Sequence, residues 1–260
     1  VMGTDGNGCV GTDVVEVTSA TPPNITVSAS PSSICAGETV TLTAAGLSPT
    51  APSSNYSWSA GYGIGKSISD QPIVSTTYTV TGTDANGCMG TDHVTVTVNA
   101  LPSAPTVDPS NVTEYCLNDL SGALKAFADL GNTLKWYDIS NNLLAIGAGP
   151  VPVTTSPGNV TYKVTQTNGN GCESSARLIT VTVHNLPTVG IIQGTSVSVC
   201  NNGSIILEGT GASAYSWFGD DALGNTIVDG TSFIPPPQTT PYTVTGTDGN
   251  GCTNTASIQV

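Results

Sequence analysis

The sequence predicts an all-β chain of tandem sandwich domains, and three observations carry that prediction. A turn motif returns four times, as Thr4-Asp5-Gly6-Asn7-Gly8-Cys9, Thr83-Asp84-Ala85-Asn86-Gly87-Cys88, Thr167-Asn168-Gly169-Asn170-Gly171-Cys172 and Thr247-Asp248-Gly249-Asn250-Gly251-Cys252. Its cysteines stand 79, 84 and 80 residues apart, the spacing of an internal repeat. Between the motifs, apolar residues alternate with Thr at period two, as half-buried strands require.

Taken in order, residues 1–22 hold only the last two strands of a unit, a hairpin that is marginal by itself. If that hairpin is ordered, something must cover its apolar face. A first full unit occupies residues 23–101. In it, Val40-Thr41-Leu42-Thr43-Ala44 places Val, Leu and Ala on one face, and Tyr78-Thr79-Val80-Thr81 and Val94-Thr95-Val96-Thr97-Val98 do likewise. A divergent unit follows at 102–186, where Ser121 to Phe127 reads as an irregular strand and loop, since no cap or long period supports a helix. A third unit spans 187–260. Each unit carries one tryptophan (Trp58, Trp136, Trp217), suited to plug a core between two sheets, and a tyrosine ten residues before its last cysteine (Tyr78, Tyr162, Tyr242). Units of about 80 residues with this strand spacing describe an immunoglobulin-like β-sandwich, and the tyrosines match the tyrosine corner of that fold. Prolines at Thr21-Pro22-Pro23, Leu101-Pro102-Ser103-Ala104-Pro105 and Leu186-Pro187 stiffen the joints, so an elongated rod is expected.

Composition removes several functions. Of 260 residues only 9% are charged, with 5 Lys plus Arg against 18 Asp plus Glu and a formal net charge of −13. Such a chain cannot neutralise phosphates, which excludes nucleic-acid binding, and it disfavours anionic membrane surfaces. No apolar run approaches the ~20 residues that span a bilayer. The longest, near Leu143 to Val153, is broken by Gly147, Gly149, Pro150 and Pro152. Val1-Met2-Gly3-Thr4 lacks the basic start and apolar core of a signal peptide, so any export signal or anchor is expected outside these residues.

Seven cysteines, at 9, 35, 88, 116, 172, 200 and 252, form no CxxC pair, and the two histidines, His93 and His184, complete no zinc set. They read as disulfides in an oxidising, extracellular setting. Two connectivities stay open. Pairing within each unit joins Cys35 to Cys88, Cys116 to Cys172 and Cys200 to Cys252. Yet Cys35 precedes strand B (Thr39 to Ala44) and Cys88 follows the F–G turn, which a sandwich places at its opposite end. Strand B spans about 20 Å, while a disulfide needs Cα atoms within ~7 Å. Reach therefore prefers Cys35–Cys172 and Cys116–Cys252, each stapling neighbouring units, with Cys9, Cys88 and Cys200 left to missing neighbours.

The runs Ser33-Ile34-Cys35-Ala36-Gly37-Glu38-Thr39-Val40-Thr41-Leu42-Thr43 and Thr77 to Cys88 resemble the Ig-like and PKD-like tandem repeats of Bacteroidota surface proteins. The divergent unit, with Tyr115-Cys116, Leu134-Lys135-Trp136-Tyr137 and Asn170-Gly171-Cys172-Glu173-Ser174, resembles a second Ig-like subfamily of the same proteins. Those are large adhesins, including gliding-type adhesins, usually exported by the type IX secretion system. The resemblance implies a cell-surface stalk whose distal domain carries the function.

Candidate chemistry is sparse. Asp84, Asn86, Asp248 and Asn250 have the opening spacing of a calcium loop, but a third ligand position and a closing Glu do not follow, so a hairpin turn is the stronger reading. Asp220-Asp221 reads as a solvated loop. No nucleophile elbow and no paired carboxylates stand out, so no catalytic residue is expected. The expected function is a non-enzymatic stalk whose partners are neighbouring repeats of the same chain. The alternatives are a carbohydrate- or protein-binding module, with Trp136 and Tyr137 as its platform, and a self-assembling filament of identical chains.

Overall fold

The computed structural model describes the backbone of residues 1–260 and every side chain except those of Ser54 and Ala60. Strands account for 44% of the residues, and no α-helix occurs among the described residues. The chain divides into two compact units, Val1–Pro102 with Asn168–Glu173, and Ser103–Thr167 with Ser174–Val260. This differs from a cut at every repeat boundary: the turn at 168–173 groups with the first unit, to which a disulfide fastens it.

In the first unit, β1 (Met2–Thr4) and β2 (Val10–Thr12) form a hairpin whose residues are all exposed. The repeat that follows packs two sheets. One is ordered β3 (Thr26–Ser30), β5 (Val40–Ala45) and β8 (Ser67–Asp70). The other runs β4 (Ser33–Cys35), β10 (Met89–Asn99), β9 (Thr76–Thr83), β6 (Tyr56–Trp58) and β7 (Gly63–Ile64). Alternation decides which side chains face inward: Val40, Leu42 and Ala44 are buried while Thr41 and Thr43 are exposed. They join Ile25, Ile34, Tyr56, Trp58, Tyr78, Val80 and Val96 in one core.

In the second unit, the middle repeat builds β11 (Thr106–Val107) against β13 (Ala126–Phe127) and a five-stranded sheet. That sheet is ordered β12 (Glu114–Cys116), β17 (Arg177–His184), β16 (Gly158–Thr167), β14 (Thr133–Tyr137) and β15 (Leu143–Ile146). Its core holds Tyr115, Leu124, Trp136, Tyr162, Val164, Ile179, Val181 and Val183. The last repeat contributes β18 (Gly190–Ile191), β19 (Ile205–Ile206), β20 (Gly209–Thr210), β21 (Ala214–Phe218), β22 (Ser232–Phe233), β23 (Pro241–Thr247) and β24 (Thr253–Gln259) around Leu207, Trp217, Ile227, Tyr242, Val244 and Ile258. In the first two repeats the short strand ahead of the A–B turn lies parallel to the last strand, pairing Cys35 with Asn99 and Cys116 with His184. The last repeat has a single parallel bridge, Ser196 to Gln259.

Candidate functional site

The four turn motifs fold alike because each is closed by its own first side chain. Asp84 Oδ1 accepts from the backbone N–H groups of Asn86 and Cys88, and the Gly87 N–H donates to the Asp84 carbonyl. Asp5, Asn168 and Asp248 make the same bonds in their turns. The glycine before each cysteine sits at a φ of 82° to 86°, a left-handed conformation in which a Cβ would be strained. The candidate calcium ligands Asp84 and Asp248 thus spend one carboxylate oxygen on their own turns. Among the described residues no three His, Cys, Asp or Glu side chains gather as a metal group.

At the opposite end of each repeat, the cysteine before strand B opens a second recurrent turn. The Glu38 N–H donates to the Cys35 carbonyl, and the Cys35 N–H donates to Glu38 Oε2. Asp119 does the same for Cys116, at 3.0 and 2.7 Å. Gly37 and Asn118 supply the left-handed residue, with φ of 83° and 70°.

Two disulfides use these turns. Cys35 bonds Cys172 and Cys116 bonds Cys252, each with Cα atoms 5.5 Å apart. Each joins the A–B turn of one repeat to the F–G turn of the next, and each lies inside one compact unit. Among the described residues no disulfide closes within a repeat: strand B separates the two turns, so Cys35 and Cys88 do not meet. Cys88 and Cys200, placed among the disulfide cysteines on sequence grounds, are free thiols, as is Cys9.

The other candidates are core residues. Trp58, Trp136 and Trp217 are buried, and each indole N–H has an acceptor: the carbonyls of Gly65 and Gly147, and the carboxylate of Asp229. Because Trp136 is wholly enclosed, it offers no face for a sugar, which removes it from the binding platform proposed with Tyr137. Of these tyrosines, Tyr78 departs from the corner motif in what it bonds. The Tyr78 hydroxyl donates to Asp70 Oδ2 at 2.6 Å, a side chain and not the backbone. Burial and the Asp70 carboxylate push its ionisation well above the ordinary tyrosine range. Tyr242 donates to the Asp220 carbonyl, and burial pushes the ionisation of Tyr162 up. His93 is exposed on β10, and His184 pairs with Glu114 at 2.6 Å beside the Cys116 turn. Asp221 accepts from the Leu223 and Asn225 N–H groups, so the Asp220-Asp221 segment is a self-capped turn.

One residue escaped the sequence reading. Gln166 is fully buried and all four of its side-chain hydrogen-bonding positions are used. Its Oε1 accepts from the Asp129 N–H and Asn132 Nδ2, and its Nε2 donates to the Ser103 carbonyl and Asp129 Oδ2. The available signal was its place in the repeat, where the other units have Gly82 and Gly246.

The family model described as "Ig-like domain CHU_C associated" matches residues 102–185 and 186–260, more than half of the chain. Among curated proteins nothing matches. Similar solved structures include the I-band fragment I67–I69 from titin (11% identity, 93% of this chain and 98% of that one, TM-score 0.39). Three N-terminal domains of the bacteriophage RB49 highly immunogenic outer capsid protein match at 13% identity over 92% and 98%, with a TM-score of 0.35. A 1.5-MDa bacterial ice-binding adhesin, described for host cell surface retention, matches at 16% over 93% and 98%, with a TM-score of 0.33. Two tandem copies of the matched domain place the chain in the Ig-like CHU_C-associated family.

Proposed function

We propose that the chain is a non-enzymatic structural segment of an extracellular stalk, built to hold consecutive Ig-like repeats in fixed succession. The observation that carries this reading is the pair of disulfides joining the A–B turn of one repeat to the F–G turn of the next. A disulfide inside a domain resists unfolding of that domain. One between successive repeats restrains the joint, which suits a spacer bearing tension. Persistent disulfides also favour an oxidising compartment. The sequence resemblance adds the finer form of the proposal, a Bacteroidota cell-surface adhesin exported by the type IX route and displaying a distal domain.

Small-angle scattering on oxidised and reduced protein tests the stalk. The expected result is a rod-like profile when oxidised and a broader distribution of lengths after reduction, with strand content unchanged. A compact particle in the oxidised state would sink the proposal.

A further inference from the structure

The first strand of each repeat lies beside the edge of its last strand, and the middle repeat treats that seam differently. In the first repeat Asp92, opposite Val80, supplies the acceptor. Its Oδ1 accepts from the His93 N–H and its Oδ2 from the Val27 N–H, at 2.8 and 2.9 Å. In the last repeat Asn254, two residues nearer the turn motif, accepts from the Thr255 N–H and donates to the Pro187 carbonyl. In the middle repeat the residue opposite Val164, the equivalent of Val80, is Arg177. A guanidinium only donates, so it can cap neither strand. The seam opens there into a crevice of 450 Å³, walled by Thr106, Val107, Thr113, Arg177, Leu178 and Thr180.

Donors converge on this crevice. The Asp108 N–H bonds the Lys125 carbonyl, so alternation along β11 turns the Val107 N–H away from β13 and toward the seam. The Thr182 N–H bonds the Thr113 carbonyl, on the side of β17 away from β16, so the Leu178 and Thr180 N–H groups point that way too. Neither these amides nor Arg177 has an acceptor among the described residues. Four of the five Lys and Arg residues (Lys125, Lys135, Lys163, Arg177) lie in this repeat, so an anion meets less repulsion here than on its neighbours.

We propose that this crevice binds the carboxylate of an acidic side chain from an extended peptide, in the place that the Asp92 carboxylate fills in the first repeat. One oxygen accepts from the Val107 N–H and the other from the Leu178 N–H, while the Arg177 guanidinium pairs the charge. The wall itself favours a peptide over an acidic sugar. No aromatic ring lines the crevice to stack a pyranose. The Thr180 N–H and carbonyl instead continue as an open strand edge, which an extended backbone can pair. The site does not depend on the stalk reading, because all of its groups belong to one repeat.

The test is NMR titration of the full, oxidised chain with three probes: acetyl-Thr-Asp-Thr-amide, its Asn analogue and sodium galacturonate. The expected result is saturable movement of the Val107, Leu178 and Thr180 amide signals with the Asp peptide. The Asn peptide should bind at least about ten-fold more weakly, because a charge-assisted bond is lost. Arg177→Gln should weaken the Asp peptide by about the same factor. Arg177→Asp should abolish binding, its own carboxylate capping Leu178 as Asp92 caps His93. Unmoved amides, equal binding of the two peptides, or unchanged affinity in Arg177→Gln would overturn the proposal. Galacturonate binding at those amides as tightly as the Asp peptide would also overturn it, and would assign the crevice to acidic sugars.

Discussion

The middle repeat and its two neighbours close the sandwich differently at one position, immediately before the F–G turn motif. In the first and last repeats that position is glycine because an apolar plug fills the space. A Cβ on Gly82 would stand 2.4 Å from Ile25 Cδ1, and one on Gly246 would stand 2.7 Å from Ala212 Cβ and from Val189 Cγ2. In the middle repeat the same position is Gln166, which reaches into the corresponding space and fastens Ser103 and the Asp129–Asn132 turn by hydrogen bonds. One design relies on dispersion and exclusion of water, the other on a polar hub with every donor and acceptor used. What looks in sequence like divergence of a whole unit is, at this end, an exchange of closure chemistry. The exchange cannot be made one residue at a time.

Breaking the hub should have the largest effect. Gln166→Leu keeps most of the volume but strands the Asp129 N–H, the Asn132 amide and the Ser103 carbonyl. The expected cost is about 2–3 kcal/mol, since one lost bond runs to the Asp129 carboxylate while the groups on exposed Ser103 and Asp129 regain water in part. Hydrogen exchange should show lost protection in β14, β16 and β17, with β9 and β10 of the first repeat unaffected. Uniform loss across all repeats would contradict a local hub.

The glycine closure sharpens the comparison from the other side. Gly82→Ala should destabilise the first repeat by roughly 1–3 kcal/mol through overpacking against Ile25. Ile25→Val in the same chain should recover part of it, so the two changes should be non-additive by double-mutant cycle in denaturant unfolding. Additivity would mean that the plug is not what requires glycine.

The tyrosines separate the repeats by acceptor type. Tyr78→Phe removes a bond to a carboxylate, worth about 1.5–3 kcal/mol, whereas Tyr242→Phe removes one to a neutral carbonyl, worth about 1 kcal/mol. Equal losses would deny Asp70 its role. The pH dependence follows in sign. A tyrosine whose folded pKa is raised stabilises fully below the unfolded value of about 10, and that contribution is lost as pH rises beyond it. Alkaline unfolding of the first repeat should therefore begin above pH of about 10 and move in Tyr78→Phe, as read by circular dichroism.

The smallest effects belong to the exposed turns. The Asn142 side chain holds the Asp138 carboxyl below its ordinary range, and the Asn225 backbone and side chain do the same for Asp221. For a lowered folded pKa the contribution is present above the unfolded value and lost as pH falls through the folded one. NMR titration should find both turns intact at pH of about 4, with the Asn142 and Asn225 amide shifts changing only below it. Shifts that changed at pH of about 4 or above would deny that the turns hold these carboxyls.

The sequence by itself determined what is local. The F–G turns were legible because Asp84, Asn168 and Asp248 bond amides two and four residues ahead, inside the motif that recurs. The inward faces of β5 and β9 were legible because side-chain direction along a strand follows period two. Strand length also bears on connectivity: Cys35 and Cys88 lie at opposite ends of a strand too long for a disulfide, and the structure joins Cys35 to Cys172, 137 residues away. Only the tertiary structure decided that Tyr78 bonds the Asp70 side chain, that Trp136 has no exposed face and that Gln166 is a hub. These are contacts between residues on different strands and loops, and no short-range spacing encodes them. Gly82 and Gln166 look alike as interruptions of a strand pattern, and what distinguishes them is whether Ile25 or Ser103 and Asp129 stand opposite.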